Sequence, residues 1–431
     1  MIMIMVLSDR RSASAAAASL TWRSSASRRL MCFMVPVLCY TGPMSRFRLY
    51  PTPAQEAALL RHCTDARFVW NLGHEQRAMW RPGRGPTPGF AEQCRQLTEA
   101  RKAEPWLAAG SVNVQQQALR DLDQAWRNFF KGTHRRPGWR KAGRSEGFRI
   151  TDFTFDLHMQ RLNRRWSQIK IPKVGSVRFR WTRTVPEAKS YRVTRDRAGR
   201  WHVAFAVIPR PIPGPGTGEV VGVDRGIAVT LALSNGETRH VPAASRHTER
   251  LQRKLSRARR GSNHRQQAKV RLARSMARDA DRRKNWAEQT STDIARRFDV
   301  IRIEDLKIGN MTRSAKGTIS DPGRNVRQKA GLNRAILRSG WGLFAQRLED
   351  KAPGRVEKIN PAYTSQRCSA CGTVDREARE SQAVFRCRSC TYTANADMNA
   401  ARNIAAGHAV TARGGSRLLL PVNREPLNGA A

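Results

Sequence analysis

Apolar residues recur at helical spacing in the early part of the chain and at strand spacing in its middle, and this change of period divides the molecule. Phe47 to Tyr50 alternates with arginine and predicts a short strand. Thr52-Pro-Ala-Gln-Glu then predicts a helix start, with Thr52 as cap and Pro53 in the first turn. Helical spacing continues to about Gly143 through Ala57, Leu60, Cys63, Val69 and Trp70, broken at Gly83 to Pro88. A second long helix is expected over Val112 to Phe130, with Leu119, Leu122, Trp126 and Phe129 as a packing stripe.

Over 148–208 the period becomes two. Trp166 to Ile171, Val177 to Trp181, Tyr191 to Val193 and the alternating Trp201 to Val207 predict strands, the last after an Asp196-Arg-Ala-Gly turn. The Pro- and Gly-rich stretch 209–218 denies backbone donors to a sheet and reads as a linker. Val220 to Asp224 predicts a buried strand. Ala228 to Leu233 predicts a second, and Ser234-Asn-Gly236 a turn to a third. A strand over Val300 to Glu304, a loop over 307–330, a helix over Leu332 to Leu348 and a strand over Val356 to Ile359 follow.

Charge points to the class of partner. Lys plus Arg number 79 against 34 Asp plus Glu, a formal net charge of +45 in 431 residues. Such an excess disfavours a compact state unless a polyanion neutralises it, and nucleic acid is the polyanion that fits. A membrane partner is disfavoured, because no run of about 20 apolar residues exists. The excess concentrates between Arg246 and Lys284, which hold fifteen Lys or Arg and three acids. Two basic helices divided at Gly261-Ser-Asn are expected there. Arg253, Lys254, Arg257, Arg260, Lys269, Arg271, Arg282, Arg283 and Lys284 are the candidate phosphate contacts.

Cys368-Ser-Ala-Cys371 and Cys387-Arg-Ser-Cys390 are separated by 15 residues, the spacing of a zinc ribbon with four thiolate ligands. Cys32, Cys39, Cys63 and Cys94 follow no framework, which fits a reducing cytoplasm. Three acids stand at the ends of predicted elements: Asp224 and Glu304 close strands, and Asp397 opens a helix. Singly, each is a turn, a strand exit or a helix cap. Together they can converge at one end of a mixed RNase H-like sheet, where repelling carboxylates call for Mg²⁺. Two Mg²⁺ about 4 Å apart can clamp a scissile phosphate.

Gly222-Val-Asp-Arg-Gly, Ile303-Glu-Asp-Leu, Tyr363-Thr-Ser-Gln-Arg-Cys-Ser-Ala-Cys-Gly and Ala396-Asp-Met-Asn-Ala-Ala-Arg-Asn-Ile resemble the TnpB family, the OrfB-type proteins of bacterial insertion sequences, from Met44 to about Gly407. The resemblance implies a transposon-associated RNA-guided DNA endonuclease, related to type V CRISPR effectors. It implies a multidomain α/β protein: a RuvC nuclease domain over 219–410 with a zinc ribbon inserted at 361–393, a split wedge β-barrel over 44–55 and 148–208, and a helical recognition lobe over 56–147. Asp224, Glu304 and Asp397 would be the catalytic, Mg²⁺-binding triad, with Asp224 bridging two ions. Cys368, Cys371, Cys387 and Cys390 would hold structural Zn²⁺. A guide RNA from the transposon end and a double-stranded DNA target would be its partners, bound by a monomer in the cytoplasm at the nucleoid. Residues 1–43 read as a disordered extension or an unused upstream start, and 411–431 as a flexible tail. Asn285-Trp286, Thr391 and Asn395 depart from the family pattern. A catalytically silent nucleic-acid binder and a strand-transferring transposase remain alternatives.

Overall fold

The computed structural model describes residues 45–79, 85–185, 187–206 and 210–407. The expected extension, tail and Val207 strand end lie outside them. The chain divides into two compact units between Val207 and Ile208.

Unit 1 contains β1 (Ser45–Tyr50), α1 (Pro53–Ala78), α2 (Phe90–Ala103), α3 (Pro105–Ala108), α4 (Val112–Phe130), β2 (Gly147–Ile150), α5 (Phe155–His158), β3 (Met159–Arg161), β4 (Trp166–Ile171), β5 (Gly175–Arg180), β6 (Tyr191–Arg195) and β7 (Trp201–Phe205). Thr52 caps α1 as expected: its hydroxyl accepts from the Gln55 N–H at 3.3 Å, and the Gln55 side chain returns to the Thr52 N–H at 3.0 Å. Leu59, Cys63, Ala66 and Val69 of α1 join Phe47, Phe179 and Phe205 of the sheet in one core. Burying each phenylalanine contributes roughly 2–3 kcal/mol.

The antiparallel sheet runs β2-β6-β7-β1-β5-β4-β3. The first strand therefore lies in its middle, bonded to β7 and β5. Among the described residues β2 and β3 do not pair, so backbone bonds do not close the expected barrel. Both strands were absent from the sequence expectation, being short and only partly apolar. The helical reading to Gly143 also overshoots. Helix α4 stops at Phe130, where Gly132 adopts φ +70°.

Unit 2 contains β8 (Val220–Asp224), β9 (Leu231–Leu233), β10 (Thr238–Arg239), α6 (Arg246–Arg257), α7 (Asn263–Arg297), β11 (Val300–Glu304), α8 (Ile308–Met311), α9 (Val326–Ser339), α10 (Trp341–Lys351), β12 (Val356–Ile359), β13 (Val384–Arg386), β14 (Thr393–Asn395) and α11 (Ala396–Ala406). Its main sheet runs β10-β9-β8-β11-β12, with β11 parallel to both neighbours and β9 and β10 antiparallel. Val221, Val223, Ile301 and Ile303 are fully buried against Ile294, Phe344 and Leu348.

The helix expected over Leu332 to Leu348 is two helices. Gly340, at φ +73°, ends α9 and starts α10, and α9 begins earlier, inside the expected loop. The strand expected from Ala228 starts only at Leu231. The 209–218 linker is not a free tether. Gly216 and Gly218 donate to the Asp299 carboxylate at 3.0 and 2.7 Å, and the Ile212 N–H donates to the Lys351 carbonyl at 2.7 Å.

Candidate nuclease site

Sheet register brings the first two acids together. Ile303 lies opposite Val223 in the parallel β8–β11 pair, so Asp224 and Glu304 leave the sheet at the same end of adjacent strands. The third arrives on α11, whose seat depends on a missing side chain. A Cβ at Gly222 would lie 2.1 Å from the Ala401 carbonyl oxygen and 2.3 Å from the Ala405 nitrogen. Glycine lets the helix backbone touch the strand backbone. Asn395 caps the helix, accepting from the Asp397 and Met398 N–H groups at 3.0 and 3.2 Å.

Asp224, Glu304 and Asp397 line one cavity of about 290 Å³, with Arg225, Arg379, Thr364 and Gln382. Burial, then the neighbouring Glu304 and Asp397 carboxylates, push the Asp224 carboxyl up to about 7. Burial also raises Glu304, opposed by a hydrogen bond from the Thr364 hydroxyl at 2.7 Å and by Arg225. Asp397 is raised by burial and eased by Arg379, whose guanidinium lies 3.5 Å from it. Three hard oxygen donors with too little local cation to ionise them all suit divalent ions such as Mg²⁺. Among the described residues only the four cysteines bring three or more ligand atoms close enough to hold a single ion, so the carboxylates share a cavity without closing one coordination shell.

Sequence reasoning assigned no role to Arg379, Thr364, Asn399 or Asn403. Asn399 accepts from the Ser369 N–H at 2.9 Å and donates to the Arg367 carbonyl at 2.7 Å. Asn403 donates to the Thr364 and Arg367 carbonyls at 2.9 and 2.7 Å. Helix α11 thus grips the segment entering the first cysteine knuckle, which also orients Glu304. The signal was present as two asparagines at i, i+4 on the helix.

Cys368, Cys371, Cys387 and Cys390 place all four sulfurs within 4.8 Å of one another. Sulfurs of Cys368 and Cys390 are 3.7 Å apart, and those of Cys371 and Cys387 are 3.6 Å apart. A tetrahedron with metal–sulfur bonds of about 2.3 Å requires roughly 3.8 Å, so this set fits a metal of zinc's kind. The β13–β14 hairpin carries the second knuckle. The knuckles match in form: Gly372 and Thr391 each follow the second cysteine and donate to the carbonyl of the first, at 2.9 and 3.1 Å. Gly372 has φ +81° and Thr391 φ +60°, a conformation that costs a β-branched residue.

The chain resembles known proteins over most of its length. Residues 183–315 match the OrfB (IS605) family described as "Probable transposase", 341–404 match "Cas12f1-like, TNB domain", and 45–82 match "Helix-turn-helix domain". A protein of Escherichia coli (strain K12), "Putative RNA-guided DNA endonuclease InsQ", is 36% identical over 86% of this chain and 93% of its own. The chain belongs to the OrfB transposase family. A Streptomyces pristinaespiralis protein, "Putative RNA-guided DNA endonuclease", is 32% identical to this OrfB chain over 86% of it and 90% of the relative. In fold the OrfB chain resembles the protein in a Cas12f1–sgRNA–target DNA complex, with TM-score 0.50, 13% identity and 82% of each chain covered.

The expected phosphate contacts lie on the α6–α7 hairpin of this OrfB chain. Arg253, Lys254, Arg257, Arg260, Lys269 and Arg271 are exposed and form no ion pair among the described residues. Arg283 is half-buried and Lys284 exposed. Arg282 has a structural task, pairing with Asp279 at 2.6 Å. Asp279 in turn accepts from the Thr248 hydroxyl at 2.6 Å and ties α6 to α7. No described helix is long and apolar enough to cross a membrane.

Proposed function

We propose that this protein is an RNA-guided, metal-dependent DNA endonuclease with a RuvC-type site. The observation that carries this reading is the shared cavity of Asp224, Glu304 and Asp397, in a chain alike over most of its length to proteins named as RNA-guided DNA endonucleases. Asp224, Glu304 and Asp397 would hold Mg²⁺. Bound Mg²⁺ would supply Lewis-acid stabilisation of the scissile phosphate and an activated water. The chain's own residues prepare the site. Thr364 fixes one Glu304 oxygen, and Asp224 would bind the ion as a carboxylate. Arg379 stands beside Asp397 as a donor for a phosphate oxygen.

The four cysteines would hold structural Zn²⁺, keeping the ribbon that carries Arg379 against α11. The proposed organisation is a wedge over 44–55 and 148–208, a recognition lobe over 56–147, and a nuclease domain over 219–410 with the ribbon at 361–393. The exposed cations of α6 and α7 would meet the phosphates of a guide RNA or its DNA target, and the protein would act as a monomer on cytoplasmic, nucleoid DNA.

Plasmid cleavage by protein co-purified with RNA from its own locus, with and without Mg²⁺ and beside Asp224→Ala, tests this reading. Cleavage requiring RNA, Mg²⁺ and Asp224 is expected. RNA-dependent binding without cleavage would establish a silent binder, and strand transfer without RNA a transposase.

A further inference from the structure

The end of α4 and the chain after it carry aromatic rings that the core does not use. Leu119, Leu122 and Trp126 are buried, whereas Phe130 is 77% exposed and Trp139 is 53% exposed. Phe130 stacks on Trp126, with ring centroids 5.7 Å apart and planes at 26°, which leaves its outer face open. Trp139 meets His74 edge-on at 4.9 Å, and His74 stacks on Trp126. Below this surface the buried Trp126 indole N–H and His74 Nδ1 have no hydrogen-bond partner among the described residues.

The segment 131–145 holds six Lys or Arg and no acid. Lys131, Arg135, Arg136, Lys141 and Arg144 are exposed, and none forms an ion pair among the described residues. Although it lacks regular structure, the segment is pinned. Trp70 donates its indole N–H to the Gly138 carbonyl at 3.0 Å. Asn71 exchanges two hydrogen bonds with the Arg140 backbone, at 3.0 and 2.8 Å, and the Arg140 guanidinium lies 3.8 Å over the Trp70 ring. The backbone that carries Trp139 and the cations is thus fixed in advance, which lowers the ordering cost of binding.

We propose that Phe130 and Trp139 form a stacking platform for unpaired bases of a single-stranded RNA segment, whose phosphates are met by Arg135, Arg136 and Lys141. Exposed aromatic faces interleaved with cations recognise bases by their π-faces, which a duplex keeps stacked inside. RNA is the occupant rather than DNA because, under the function proposed above, RNA is the nucleic acid carried before any target is met. A folded RNA also displays unpaired loop bases continuously, while duplex DNA shows none until opened. The platform rests on that reading only for the source of the strand.

The test uses the full-length protein with a labelled 12-nucleotide adenosine RNA, the same DNA sequence, and a 12-base-pair RNA duplex. The double variant Phe130→Ala/Trp139→Ala should lose at least about tenfold in affinity for the single-stranded RNA. Duplex binding and the salt dependence should stay unchanged, because no phosphate contact is removed. Phe130→Tyr/Trp139→Phe should restore binding. Ultraviolet crosslinking of co-purified RNA should place nucleotides on Phe130 or Trp139. Unchanged single-strand affinity in the alanine variant would overturn the platform. So would an equal loss on single strand and duplex, which would leave only a basic surface. A larger loss on DNA than on RNA would overturn the assignment to RNA. Plasmid cleavage by the same preparations reports on the nuclease separately, so either proposal can fail alone.

Discussion

The buried guanidinium of Arg225 donates to the backbone carbonyl of Glu304, while its Nε has no hydrogen-bond partner among the described residues. Arg225 is only 6% exposed and borders the three-acid cavity. It is a fixed positive charge set next to groups proposed to bind cations. Arg225→Gln should therefore bind Mg²⁺ several-fold more tightly and melt at a lower temperature without it, and Arg225→Lys should keep affinity near wild type. Calorimetric titration checks this, and weaker Mg²⁺ binding by the glutamine variant would contradict it.

The raised Asp224 carboxyl sets a pH dependence. Its folded-state value of about 7 exceeds the ordinary 3.8, so between these values the folded chain holds a proton that the unfolded chain releases. Stability of the metal-free protein should fall as pH rises from about 4 to 7, by a few kcal/mol. Asp224→Asn should melt higher than wild type at pH 8 and flatten the profile. Equal melting curves for the two proteins from pH 5 to 8 would refute the assignment.

Gly222→Ala should separate α11 from β8 and withdraw Asp397 from Asp224. The added methyl meets the backbone of α11 at Ala401 and Ala405, where no rotamer change gives relief. A stability loss of at least about 2 kcal/mol is expected in chemical denaturation, with plasmid cleavage abolished. Near-native stability would show that the helix can shift at little cost.

Thr391→Gly should strengthen the ribbon. Relieving a β-branched residue at φ +60° should contribute about 1 kcal/mol, net of the freedom glycine adds to the unfolded chain. Metal release to a chelator should be slower than from wild type. Faster release would mean that the threonine stabilises the knuckle by contacts outweighing its strain.

Local signals with strict periods were readable in the sequence. Val300–Glu304 and Val356–Ile359 are strands with the expected ends, each holding β-branched residues that suit a pleated, half-buried surface. The cysteine knuckles were legible from spacing alone. What could not be read depends on tertiary partners. Gly340 lies inside a helical pattern, and only its left-handed backbone reveals the break. β2 and β3 are too short to carry a period, and ladder bonds to β6 and β4 define them. Arg379 is 18 residues from Asp397 in the chain and reaches it only because the ribbon folds back.

Helix α11 ends at Ala406 and docks on β8, which begins at Val220. The proposed active site therefore joins the opening strand of unit 2 to its closing helix. During synthesis, every described strand of that unit leaves the ribosome before Asp397 does. On the proposed reading, a nascent chain can already present the basic helices and the aromatic platform, but it cannot cut.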